Sequence, residues 1–126
     1  MTFGEALRYE LIQIEKLNKK VFPIVAPEGA GKPFLVYQRE EAVFKKTLSG
    51  TSNKANAVYI LTLVTDSYSE KEVIEELVVA KLLSFLFRNI GDGGPYIQNI
   101  TVRLLPEGYA FEADSLTSKI RLEVDY

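Results

Sequence analysis

The stretch NAVYILTLVTDSYSEKEVIEELVVAKLLSFLFRN, residues 56–89, decides how this chain folds. Asn56 to Thr65 read as a strand, with Val58, Ile60 and Val64 on one face and Tyr59, Leu61 and Leu63 on the other. Apolar residues on both faces predict a strand covered on both sides. A helix should then start at Asp66 or Ser67. Both Ser67-Tyr68-Ser69-Glu70 and Ser69-Glu70-Lys71-Glu72 offer capping boxes, and acidic residues crowd the first turns, where the helix dipole favours them. The helix is expected to run to about Asn89 and to stop before Gly91-Asp92-Gly93-Gly94-Pro95.

Outward from this segment the same two periods recur. Thr2 to about Leu17 read as a helix, opened by the capping box Thr2-Phe3-Gly4-Glu5. Phe3, Leu7, Leu11, Ile14 and Leu17 recur at steps of four and three and form one apolar stripe. Lys19-Lys20 suit the negative end of that helix. Pro23, Pro27, Gly29, Gly31 and Pro33 then exclude regular structure. Phe34 to Phe44 read as a strand, and residues 45–55 are polar, as in a long hairpin arm. Beyond the second helix, Tyr96 to Leu105 read as a strand with Ile100, Val102 and Leu104 inward. Leu116 to Tyr126 alternate best, with Ile120, Leu122 and Val124 against Lys119, Arg121, Glu123 and Asp125. The expected order is α-β-β-α-β-β. That is an α+β domain with an antiparallel-rich sheet of about four strands and two helices packed on one face.

With 126 residues there is room for one core, and residues 1–126 are read as a single domain. Composition narrows the chemistry further. The chain has no cysteine and no histidine, which removes thiolate metal sites, thiol nucleophiles, the commonest general base and the commonest metal ligand. No cofactor and no metal site are expected, and the composition points away from an enzyme. Met1-Thr2-Phe3-Gly4-Glu5 shows no basic segment leading into an apolar one, so no secretory signal is read. The most apolar window, Leu77 to Phe87, is shorter than the roughly 20 residues a membrane span needs, and no membrane partner is expected. Residues 1–50 hold 8 Lys and Arg against 6 Asp and Glu, while residues 51–126 hold 7 against 11. Only Lys19-Lys20 and Lys45-Lys46 are basic pairs, too few for the basic stripe of a nucleic-acid domain. Tyr37 and Tyr59 are read as packing residues rather than base-stacking ones, and no specific nucleic acid is expected.

Four motifs fail on inspection. Glu28-Gly29-Ala30-Gly31-Lys32-Pro33 lacks the first glycine of a phosphate loop, where Ala26 stands, and has Pro33 where a hydroxyl should reach magnesium. Gly91-Asp92-Gly93-Gly94 lacks the alternating oxygen ligands of a calcium loop. Glu40-Glu41 and Glu75-Glu76 are neighbours that point apart, on a strand and on a helix respectively. No Ser-x-x-Lys occurs to activate a serine without histidine.

One feature stands out. Between Leu77 and Phe87 only Lys81 and Ser84 are polar, and with Arg88 they form one seam at helical spacing. A sheet face needs an apolar stripe only about 100° wide. The excess, with Leu82, Phe85, Leu86 and Phe87 as the candidate docking surface, must pack either on the first helix or on another subunit.

At these residues the chain resembles a family. Pro33-Phe34-Leu35-Val36-Tyr37-Gln38, Lys46-Thr47-Leu48-Ser49-Gly50, Asp66-Ser67-Tyr68 and Gly94-Pro95-Tyr96-Ile97-Gln98-Asn99 occur in the order seen in the tail-completion, or tail-to-head joining, proteins of long-tailed bacteriophages and prophages. This family was formerly a domain of unknown function. The likeness runs from Phe3 to Asp125. It implies a virion structural protein, similar to tail terminators, that caps the tail tube as a ring of six and docks it onto the head-completion protein. Its partners would be the tail tube protein, the head-completion protein and itself. Its location would be the head–tail interface of a virion, after synthesis in the host bacterial cytoplasm. The arm Lys45, Lys46, Thr47, Leu48, Ser49 and Gly50 would face the tube lumen or a neighbouring ring. The family offers no catalytic position to transfer. Two other readings compete: a small ligand-binding or regulatory α+β domain with Gln38, Arg39 and Arg103 lining a pocket, and a carboxylate enzyme using Asp66, Glu70 or Asp92.

Overall fold

A computed structural model of the chain describes residues 1–46, 53–110 and 115–126. Its centre is the strand β3 (Asn53–Thr65), paired antiparallel on one side with β2 (Phe34–Lys46) and on the other with β6 (Ser115–Asp125). β1 (Val21–Pro23) joins β2 in parallel, and β4 (Asn99–Leu104) and β5 (Gly108–Ala110) lie along the far edge of β6. The sheet therefore runs β1-β2-β3-β6-β4, and every pairing except β1 with β2 is antiparallel. The α+β class agrees with the sequence reading, but the described residues form six strands where four were expected. The two additional strands have three residues each, too short to show an alternation. Pro23, expected to break structure, ends an edge strand, a place where a missing N–H costs no ladder bond.

Two helices, α1 (Phe3–Leu11) and α2 (Tyr68–Leu83), cover one face of this sheet. The core is built by the inward row of each central strand against the helices. Leu35, Leu61, Leu63, Ile120 and Leu122 meet Leu7, Leu11, Ile74, Val78 and Leu82, and all are essentially inaccessible to solvent. The caps form as their chemistry requires. The Thr2 hydroxyl accepts from the Glu5 N–H and the Glu5 carboxylate accepts from the Thr2 N–H. At α2 it is Ser67 that caps, accepting from the Glu70 N–H.

Both helices end earlier than expected. α1 stops at Leu11 because the next turn tightens, with the Gln13 N–H bonding Glu10 O and the Ile14 N–H bonding Leu11 O. Ile14 is then extended, a single 3-10 turn follows at Glu15–Leu17, and Asn18 and Lys19 take left-handed backbone angles. The stripe Phe3, Leu7, Leu11, Ile14 and Leu17 is nonetheless buried throughout, so its spacing reported burial rather than continuous helix. α2 stops at Leu83 because the following chain turns back to bury Phe85, Ile90 and Ile97 in the same core. Phe87 takes a left-handed conformation (φ 60°) and its N–H bonds Ile97 O at 2.8 Å. Strand β4 begins at Asn99 rather than Tyr96, and as an edge strand it is only partly covered. Ile100 and Val102 pack against the core, whereas Leu104 is exposed.

Among the described residues no helix covers the outer face of the sheet. Its rows follow from the register: Val36, Thr62 and Lys119; Gln38, Ile60, Arg121 and Arg103; Glu41, Val58, Glu123 and Thr101. The expectation that β3 is covered on both sides holds on this face only at Val58, which is buried. Ile60 and Val64 are half-buried and absent from the core cluster.

A buried cation ties β5's approach to the helix layer. Lys71, one of the most buried side chains, pairs with Glu107 at 2.5 Å and Glu75 at 3.6 Å and lies over the Tyr68 ring. Burial alone would push its ammonium pKa down. The hydrogen bond to Glu107 and the charges of Glu75 and Glu107 outweigh that and raise it.

Candidate assembly surfaces

The polar seam on α2 faces the Glu10 carboxylate, which is only 5% exposed. Arg88 Nη2 donates to Glu10 Oε1 at 2.7 Å, Lys81 Nζ stands 3.5 Å from the same oxygen, and the Gly91 N–H donates to Oε2 at 3.0 Å. Arg88 Nε also donates to Ser84 O at 2.8 Å, and Lys81 Nζ to Gln13 Oε1 at 3.1 Å. Burial pushes the Glu10 pKa up, but the Arg88 hydrogen bond, the Gly91 amide and the two cations together hold it below the usual carboxylate value. Lys81, Ser84 and Arg88 thus share one cluster, although Arg88 lies beyond the helix. Glu10 itself was not singled out from sequence. The signal was there in the seam, since cations on so apolar a segment need a carboxylate facing them.

This cluster clamps α1 to the segment 84–97 and fixes what that segment presents. Leu82 and Phe85, two members of the candidate docking surface, are fully buried and belong to the core of the chain itself. Leu86 and Phe87, the other two, face outward, at 38% and 66% exposure. Bridges from Leu86 to Ile97 and from Asn89 to Tyr96 hold this turn, so its apolar groups are displayed on a defined backbone. They continue a row that the sequence left unassigned. Val73, Leu77, Ala80 and Leu83 lie on the solvent side of α2, opposite the buried row Lys71, Ile74, Val78 and Leu82. α1 does not cover this row: its Leu7 and Leu11 pack in the core with the opposite, buried row of α2, and Lys81 on the flank of α2 reaches Glu10.

The hairpin forms a second surface. Lys45 and Lys46 continue β2, pairing in register with Lys54 and Asn53, and Thr47, Leu48, Ser49 and Gly50 lie outside the described residues. At the base of the arm Phe44 is 72% exposed beside an aromatic group in which Phe3 stacks on Tyr126 and tilts against Tyr59, both at 5.1 Å. A register shift between Arg39 and Glu41 interrupts the β2–β3 ladder ahead of the arm, whose pairing beyond Val43 and Asn56 is no longer backed by β6.

The residues of the competing readings do not converge. Gln38 and Arg103 share the outer face but stand on strands separated by β3 and β6, and Arg39 points to the opposite face beside Tyr59. Asp66 pairs with Lys32 at 3.1 Å, Glu70 sits in the first turn of α2, and Asp92 lies in the turn after it, beyond the other end of the helix. Among the described residues no helix is long and apolar enough to cross a membrane.

Compared by sequence, the chain matches no protein-family profile and no curated protein. Compared by structure, it is similar to a chain in the virion of a native gene transfer agent particle, with a TM-score of 0.60 over 98% of this chain and 91% of that one, at 12% identity. A second solved structure aligns with a TM-score of 0.60 over 98% of this chain and 89% of its own, at 14% identity. At such identities the shared property is the fold.

Proposed function

We propose that this chain is a structural protein of a tailed-phage or phage-like virion, one that completes the tail and joins it to the head without catalysing a reaction. The observation that carries this reading is that a gene transfer agent virion contains a chain of the same fold, matched over nearly the full length of both. The outward apolar row of α2 and the turn bearing Leu86 and Phe87 support it, because a particle subunit covers such surface with its neighbours. In this role the partners are the tail tube protein, the head-completion protein and further copies of the chain in a ring of six. The arm starting at Lys45 and Lys46 faces the lumen or an adjoining ring. The site of action is the head–tail interface of the virion, reached after synthesis in the bacterial cytoplasm.

Deleting the gene from the element that carries it, and imaging the products by negative stain, tests this reading. Filled heads beside separate tails are expected. Intact, infectious particles would sink it and leave the small ligand-binding domain as the reading to pursue.

A further inference from the structure

Among the described residues the two-layer architecture leaves two surfaces without a partner, and they are chemically complementary. One is the solvent side of α2, where Val73 and Leu77 form an apolar row one residue beside Glu72 and Glu76. All four side chains are exposed, and among the described residues neither Glu72 nor Glu76 forms an ion pair with a cation. The other is the bare sheet face, where Val36, Ile60 and Val64 are half-buried beside Lys119, Arg121 and Arg103.

The cations on that face are arranged at a cost. Arg103 and Arg121 are directly opposite each other in the β4–β6 ladder, a like-charge juxtaposition that destabilises a sheet. Lys119 lies two residues from Arg121 on the same side of β6. Glu123 reaches Arg121 at 3.2 Å, but among the described residues no carboxylate pairs with Arg103 or Lys119. Glu41 and Glu123 fall in the next row, so apart from the Arg121–Glu123 pair the cations and carboxylates of this face stand in separate rows. The spacings also agree. Glu72 and Glu76 are separated by about 6 Å along a helix, and Lys119 and Arg121 by about 7 Å along a strand.

We infer that the solvent side of α2 in one copy packs on the bare sheet face of the next. Val73 and Leu77 then lie against Ile60, Val64 and Val36, and Glu72 and Glu76 meet the Lys119–Arg121–Arg103 group. Helix against sheet turns each two-layer subunit into part of a three-layer stack. This gives Ile60 and Val64, the half-buried apolar residues on the outer face of β3, a cover that the described residues do not supply. The two surfaces differ, so the contact is heterologous. It closes into a ring if the rotation between copies permits, and otherwise extends as an open array. The inference rests on the reading of the chain as an assembly subunit only for the biological use of the contact. The contact itself follows from the surfaces.

The test is a charge exchange followed by sedimentation of the full chain at concentrations up to about 1 mM, the weak end of specific association. The wild type is expected to self-associate and to dissociate as salt is raised, because exposed ion pairs are screened. Glu72→Lys with Glu76→Lys, and separately Arg103→Glu with Lys119→Glu, should each weaken association about tenfold or more while leaving the circular dichroism unchanged. All four sites are exposed, so the fold tolerates the changes. Mixing the two variants should restore association, since each then offers the other a matching surface. A monomeric wild type, or variants that associate normally alone, or a mixture that shows no rescue, would overturn the contact. The gene-deletion result is independent of all three, so failure of the contact and failure of the proposed function are told apart.

Discussion

Glu10 is a carboxylate held almost out of solvent by Arg88, Lys81 and the Gly91 amide, and that arrangement makes the fold sensitive to acid. Its pKa is held below the ordinary value of 4.5. A group depressed in this way contributes stability above its unfolded pKa and loses it as pH falls through the lower, folded one. Glu10→Gln should therefore cost about 2–3 kcal/mol at pH 7, where it leaves two cations without their counter-charge. The cost should shrink below about pH 4.5, as the wild type loses the same interaction. Urea titrations of both proteins at pH 7 and pH 3.5 check this. A difference that does not narrow in acid would mean that Glu10 acts by shape alone. Lys71 poses the opposite case, a raised ammonium pKa whose contribution is complete below the usual lysine value of 10.5 and fades only above it.

At the scale of the element, α2 and the turn after it show how far the sequence was readable. The Ser67 cap and the Lys81, Ser84 and Arg88 seam were legible because they depend on local spacing. So was the alternation that buries Ile120, Leu122 and Val124. The end of α2 was not, because nothing local stops a helix at Ser84. The stop comes from Phe85, Ile90 and Ile97 reaching a core built by distant strands. The candidate docking residues divide at this same turn, with Phe85 buried in the core and Phe87 exposed two positions later. The strands β1 and β5 escaped notice for the reason that three residues carry no period. The division makes a sharp prediction. Phe85→Ala should cost about 3–5 kcal/mol in folding, as a fully buried aromatic lost from the core. Phe87→Lys should leave folding within about 0.5 kcal/mol, since the side chain is largely in solvent. It should nonetheless prevent assembly. Thermal melts beside a complementation assay separate the two, and a Phe87→Lys chain that both folds and complements would remove this turn from the assembly surface.

Among its described residues the molecule is a sheet with helices on one face only, carrying an apolar row on the outer side of its helix layer and a partly apolar, cation-bearing surface on its other side. A monomer has little use for both, whereas a particle subunit with neighbours on two sides uses each of them. That reasoning joins the surface chemistry to the fold shared with a gene transfer agent virion chain. It also gives the reading one place to be right or wrong. The most direct measurement supplies a tagged copy of the chain to the deletion strain and locates the tag on purified particles by immunogold electron microscopy. Label confined to one point, where tail meets head, is the predicted result. Particles that form normally and carry no label at that junction would contradict it.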